Sequence, residues 1–372
     1  MSNTITAFNQ LLLAALAAGI VFGAVSQHSR FCLQGGLREA IKGQSRTRLL
    51  TYGAAMGCAL IAVAVLQLTL GQAIVPTRPA YLAPNLAWGR VLIGGLMFGA
   101  GMMLARGCPL RMTIRAAQGS LHAFLLLLVM ALCAYGFSRT QLFDVLVAPW
   151  LLSFATDLKQ FGLESQGVDA LFGGSLSSRI ALGLVLGAAI LVLVQRMNMG
   201  RASAAVWWPG LALGTCVAFA YWATGGPIGK EAFDEVAFMA VPIEGAGVQS
   251  FTYAGPLSDV VRFATSPAQQ TFSVGVVLFL GTAAGALILS LVRREFNLQG
   301  IDRSGLPRQL LGAALTGAGA VIGLGCSIGH GLSGIASLSI GSVLATTSIF
   351  LGALAVLAME SLPHAKLDRA AA

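Results

Sequence analysis

The sequence predicts an all-α polytopic membrane protein, with about nine transmembrane helices, short re-entrant helices and inverted repeats. Three observations carry that expectation. Hydrophobic residues make up 56% of the 372 positions and charged residues only 10%, the balance of a chain solvated mainly by lipid. Apolar runs repeatedly exceed 17 residues, close to the roughly 20 needed to cross the hydrocarbon core of a bilayer. One glycine-rich pattern also occurs twice, 218 residues apart, as Gly94-x4-Gly99-Ala100-Gly101-x5-Gly107-Cys108 and Gly312-x4-Gly317-Ala318-Gly319-x5-Gly325-Cys326.

The nine spans fall near 8–27, 49–70, 89–105, 121–137, 179–195, 202–222, 270–292, 308–325 and 337–358. No cleaved signal peptide is expected, because residues 1–7 lack Lys and Arg and the first apolar stretch has no A-x-A site. Charge orients the spans. Arg30, Arg38, Lys42, Arg46 and Arg48 cluster after the first span, Arg196 and Arg201 after the fifth, and Arg293, Arg294, Arg303 and Arg308 after the seventh. The positive-inside rule puts these in the cytoplasm. The loops at 138–178 and 223–269 hold nine of the fourteen acidic residues and fall outside. The N-terminus is then outside and the C-terminus cytoplasmic. The net charge of +9 is this topology signal, since the basic residues flank spans and form no separate domain; no nucleic-acid partner is expected.

Residues 1–372 read as a single membrane domain, with a first repeat at 8–137, a connecting span at 179–195 and a second, inverted repeat at 202–358. Five crossings separate the two Gly-Cys pairs, which inverts the second copy. Broken helices in inverted repeats are a recurring transporter plan, with the binding site at the breaks. Each break can restart as a helix. Pro109 suits the first position of one, and residues 110–119 continue it. Residues 327–339 are a weaker helix because of Gly329, Gly331 and Gly334, and LQGGLREAIK after Cys32 forms a third. Cys32, Cys108 and Cys326 would each sit at a helix N-terminus, where free N–H groups and a positive partial charge favour an anion.

Arg106, Arg111 and Arg115 surround Cys108, Arg30 precedes Cys32, and His330 lies one helical turn beyond Cys326. The candidate binding residues are therefore Cys32, Cys108, Cys326, Arg106, Arg111 and His330. Structural readings stand beside them: the arginines as headgroup anchors, His330 as a packed histidine, and the glycines as close-packing residues. Cys58, Cys133 and Cys216 lie inside spans without polar neighbours and read as packing. No C-x-x-C and no G-x-x-x-x-G-K-[ST] occurs, so neither a zinc ribbon nor ATP binding is expected, and no metal or cofactor is assigned.

The elements R-F-C-L-Q-G-G at 30–36, A-R-G-C-P-L-R at 105–111 and G-L-G-C-S-I-G-H-G at 323–331, set on nine spans, resemble the YeeE/YedE family of bacterial inner-membrane sulfur transporters. Thiosulfate uptake transporters are its best-defined members. The resemblance implies that Cys32, Cys108 and Cys326 line an hourglass-shaped path and pass thiosulfate inward through S–H···S hydrogen bonds. It also implies a cytoplasmic sulfur-carrier protein of the YeeD/TusA type as recipient, and a transporter rather than an enzyme. The chemistry suits such an ion: helix N-termini and arginine favour its oxygen end, and a neutral, polarizable thiol its sulfur end. The alternatives are a membrane thiol oxidoreductase, a transporter of another sulfur or selenium species, and a soft-metal permease. Bringing a dianion inward against about 100 mV costs roughly 4–5 kcal/mol. Acidic residues are scarce in the spans, which points to a facilitator drawn by consumption of the ion inside.

Overall fold

Long apolar runs fold as helices in lipid because a helix satisfies its own backbone polar groups. The computed structural model describes residues 7–198, 203–238, 245–266 and 273–370, with side chains as far as Glu360. Residues 1–6, Arg201, and the first residues of the spans expected at 202–222 and 270–292 lie outside them. The first half of the chain forms α1 (Ala7–His28), α2 (Leu33–Ile41), α3 (Thr47–Leu70), α4 (Trp88–Leu104), α5 (Pro109–Ala117) and α6 (Leu121–Arg139). Two short helices, α7 (Leu142–Leu146) and α8 (Ala148–Leu151), lead into a loop whose Thr156–Asp157 pairs antiparallel with Asn85–Leu86. The remainder forms α9 (Leu176–Met197), α10 (Ala204–Gly225), α11 (Pro227–Ala237), α12 (Ala254–Thr265), α13 (Val274–Val292), α14 (Leu306–Ile322) and α15 (Ile340–Ala370).

The expected all-α polytopic class holds. Eight stretches among the described residues are long and apolar enough to cross a membrane, the third of them being Trp88–Ala117, which joins α4 to α5. The span expected at 308–325 is α14, whose 17 residues give about 26 Å at 1.5 Å per residue. It is shorter than a full crossing because the chain turns out of it at Gly323. Among the long helices α9 is the least covered by protein; it packs on the flank of α3, with Gly183 and Gly187 against Leu60, Ile61 and Ala64.

Lipid tails are as apolar as leucine, so packing between helices comes from close contact of small residues. Helix α1 lies along α13, α10 along α3, α4 between α14 and α15, and α14 also along α6. The α4–α14 seam brings backbone against backbone. Gly94 faces the backbone of Gly323, and Gly312 faces the backbone of Ala105. Gly101 faces Thr316 and Gly312, while Gly319 faces Phe98 and Gly94. Each contact recurs with the two helices exchanged, and numbering rises along one helix as it falls along the other. The pair is therefore antiparallel and self-complementary.

Polar ties fix the flanks. Buried Arg179 donates to the carbonyls of Ile74 and Ser337, at 3.1 and 3.2 Å, beside the Asp169 carboxylate at 3.8 Å. Glu360 of α15 accepts from Arg38 of α2 at 3.1 Å and from Arg308 of α14 at 2.6 Å. Glu235 of α11 accepts from the N–H groups of Ala7 and Phe8, capping α1 from outside it.

The seam yields a direct expectation. Glycine to alanine inside a helix ordinarily gains about 1 kcal/mol, so a net loss must come from the clash. Gly94→Ala and Gly312→Ala should each lower the stability of detergent-purified protein by about 1–3 kcal/mol. Gly300→Ala, where a Cβ meets nothing within 4 Å, should leave the melting temperature unchanged. Equal melting of all three would refute the seam.

Candidate functional site

Helices α1, α4 and α14 stop in the same way, as α13 does at Arg294. Arg30, Arg106 and Leu324 are left-handed, with φ of 51°, 60° and 64°, just after α1, α4 and α14. This conformation costs a residue with a Cβ about 1–2 kcal/mol. The following N–H reaches back five residues in each case: Phe31 to the Ser26 carbonyl, Gly107 to Met102, and Gly325 to Ala320, at 2.8–2.9 Å. These are Schellman closures, and each delivers a cysteine as the next residue.

The cysteine then opens the next helix. Cys32 caps α2, and its Sγ accepts from the Gly35 N–H at 3.4 Å. Cys108 caps α5 ahead of Pro109 at the first helical position. Cys326 Sγ accepts from the Gly329 and Tyr253 N–H groups, at 3.3 and 3.4 Å. A fourth break, between α10 and α11, has Gly226 as cap and Pro227 after it. Gly226 opens α11 as Cys32 opens α2, without a thiol.

The three breaks converge. The Cys32 and Cys108 thiols lie beside each other, and Cys326 lies within electrostatic reach of Cys108. All six cysteines are free thiols, and these three are buried. Cys58 and Cys216 lie within α3 and α10, and Cys133 is half-buried in α6. Among the described residues no group of three or more His, Cys, Asp or Glu could hold a metal ion.

The charged candidates separate. Arg111 acts electrostatically on Cys32 and Cys108, and the charge of Arg115 also reaches Cys32. Arg106 is exposed and serves the turn. Arg48 joins the group: it acts on Cys32, covers Gly35, where a Cβ would sit 2.8 Å from its guanidinium, and pairs with Glu39 at 3.0 Å. Its place in the basic cluster after α1 read only as topology. His330 has both ring nitrogens engaged, with Ser342 Oγ at 3.1 Å and the Gly323 carbonyl at 2.9 Å. It ties the turn after α14 to α15.

The segment beyond Cys326 was expected as a weak helix and winds as a π-type helix over Gly329–Gly334. Its glycines admit tyrosine hydroxyls: the Tyr52 hydroxyl occupies the place of a Cβ on Gly331. Four of the chain's five tyrosines, Tyr52, Tyr81, Tyr221 and Tyr253, are buried around this segment. Tyr52 donates to the Ser327 carbonyl at 2.5 Å, Tyr221 to the Ser333 carbonyl at 2.9 Å, and Tyr253 to Thr282 Oγ1 at 3.1 Å. A phenol in an apolar span needs a partner, and that was the available signal in the sequence.

A cavity of about 300 Å³ opens beside the same segment, lined in part by Arg78, Arg139, Gln249, Thr252 and Leu324. Arg139 pairs with Asp259 at 2.8 Å on its wall. Leu324 and Thr252 bring it to the turn that carries Cys326. The arrangement offers a small anion a mainly apolar antechamber edged by Arg78 and Arg139, then buried thiols flanked by helix N-termini and guanidinium groups.

The chain is similar to known transport proteins. The thiosulfate transporter TsuA of Escherichia coli (strain K12) is 26% identical over 328 residues, covering 87% of this chain and 87% of that protein. The thiosulfate transporter TsuA of Spirochaeta thermophila is 26% identical over 350 residues, covering 92% and 97%. The family model described as sulphur transport matches residues 28–355, a stretch that takes in all three cysteine breaks. The chain belongs to the sulphur transport family, YeeE/YedE.

Proposed function

We propose that this chain imports thiosulfate across the bacterial inner membrane, handing the ion from Cys326 to the Cys32–Cys108 pair. The observation that carries the reading is the convergence of three buried thiols from three separate helix breaks. The two TsuA relatives supply the substrate by analogy. Neutral thiols donate to the sulfur end of the ion, and Arg111 and Arg48 offset its charge at the inner step. Arg106, exposed beside the inner break, meets the ion as it leaves. His330 fixes the outer break. No catalytic turnover is needed; the chain is a transporter and not an enzyme.

The halves at 8–137 and 202–358 act as inverted repeats about the connecting α9. The reciprocal α4–α14 contacts support this, because a two-fold axis between antiparallel helices lies across them, in the membrane plane. The basic segments put α2 and α5 on the cytoplasmic side and the cavity outside, with the N-terminus outside and the C-terminus cytoplasmic. Inward movement of a dianion is uphill by about 4–5 kcal/mol at about 100 mV. Cytoplasmic consumption, through a sulfur-carrier protein of the YeeD/TusA type, supplies the pull.

In a strain lacking other sulfur importers and fed thiosulfate, Cys108→Ala and Cys326→Ala should each cut uptake at least about tenfold, about 1.4 kcal/mol. Cys58→Ala and Cys216→Ala should transport normally. Normal uptake by the first two would sink the relay, and a Cys32–Cys108 disulfide forming during turnover would favour an oxidoreductase. Orientation has its own check. In a background with the native thiols protected, Gln44→Cys should react with an impermeant maleimide only in inverted vesicles, and Lys159→Cys only in intact cells. The reverse pattern would overturn the topology.

A further inference from the structure

Three of the four buried tyrosines use their hydroxyls to hold other groups of the protein. Tyr81 is the exception. Its hydroxyl and Thr252 Oγ1 lie beside each other, yet neither meets the geometry of a hydrogen bond to any described residue. Both residues are only 6% exposed. A buried hydroxyl without a partner forfeits roughly 1–3 kcal/mol, so two together mark a place where a ligand atom is expected.

Their position points to the ligand. A Cβ built on Gly329 would lie 2.7 Å from Tyr81 Oη and 2.8 Å from Thr252 Oγ1. The Gly329 N–H donates to Cys326 Sγ at 3.3 Å, and so does the N–H of Tyr253, the residue after Thr252, at 3.4 Å. Two hard donors and one soft thiol therefore gather around a single glycine. Thr252 also lines the cavity, so the hydroxyls stand between the entrance and the first thiol. The Tyr81 ring is fixed against His330, with centroids 5.3 Å apart, and its carbonyl accepts from Ser339 Oγ at 2.7 Å. Little rotation remains to carry the phenol elsewhere.

We propose that Tyr81 and Thr252 form an oxygen-binding subsite that orients the incoming ion, its oxyanion end on the two hydroxyls and its terminal sulfur toward Cys326. The subsite rests on the import reading above and adds to it a specificity determinant. An ion needs both ends to be gripped: sulfate lacks the soft end, and hydrosulfide lacks the oxygens. Tyr81 and Thr252 select by holding the oxygens in the orientation that leaves sulfur facing the thiol.

The test is concentration-dependent uptake of labelled thiosulfate in the importer-deficient strain, normalised to the amount of chain in the membrane. Tyr81→Phe and Thr252→Val should each raise KM about tenfold, equivalent to about 1.4 kcal/mol, with Vmax little changed. Thr252→Ser, which keeps the hydroxyl, should restore the wild-type KM. Unchanged KM in both Tyr81→Phe and Thr252→Val, or a fall in Vmax alone, would overturn the subsite while leaving thiosulfate import standing. Absence of thiosulfate uptake by the unaltered chain would instead overturn the import reading itself.

Discussion

A helix that ends inside a bilayer exposes carbonyls and amides that no water will satisfy. The centre of this molecule is organised by that requirement. The left-handed turns at Arg30, Arg106 and Leu324 return amides to the helices just ended. The thiols of Cys32 and Cys326 accept amides of the segments just begun. Tyr52 and Tyr221 supply donors to the carbonyls of residues 327 and 333. The groups proposed to handle the ion are thus also the groups that make broken helices tolerable. Function and folding draw on one set of donors, and a change at a break affects both.

The same economy holds at the α4–α14 seam. Glycines at 94, 101, 312 and 319 let two backbones touch, and this pairing places the two Gly-Cys turns at opposite ends of one antiparallel pair. A bulkier seam would move the turns apart and take the thiols out of register. The duplicated pattern therefore reads as a packing device and a positioning device together. Its glycines set the distance across which Cys326 and Cys108 sense one another.

Much of this was legible in the sequence because it rests on local signals. The apolar runs placed α1, α3, α6 and α9 within a few residues, and Gly107-Cys108-Pro109 and Gly325-Cys326 announced two of the breaks. Other features depend on what meets in space. The π-type winding at Gly329–Gly334 lies where tyrosine hydroxyls press on Gly331 from α3 and on Gly329 from the loop before α4. Arg48 looked like one cation among five, and only the fold of α2 onto α3 brings it over Gly35. Tyr81 sits in a loop whose pattern gave no hint of burial. The break at Gly226-Pro227 emerged only with the cap of α11.

On the proposed inverted repeat, Gly226 takes the place of a fourth cysteine and makes the route lopsided. On the proposed path one thiol faces the entrance and two face the exit. Unequal affinities cannot drive net flux in a passive carrier, since forward and reverse crossings share the same highest barrier. They do decide where the ion waits. With the deeper well on the cytoplasmic side, occupancy rises first at the exit, so saturation of inward flow reflects how quickly the ion is removed there. The acceptor inside, and not the supply outside, would then set the ceiling on throughput.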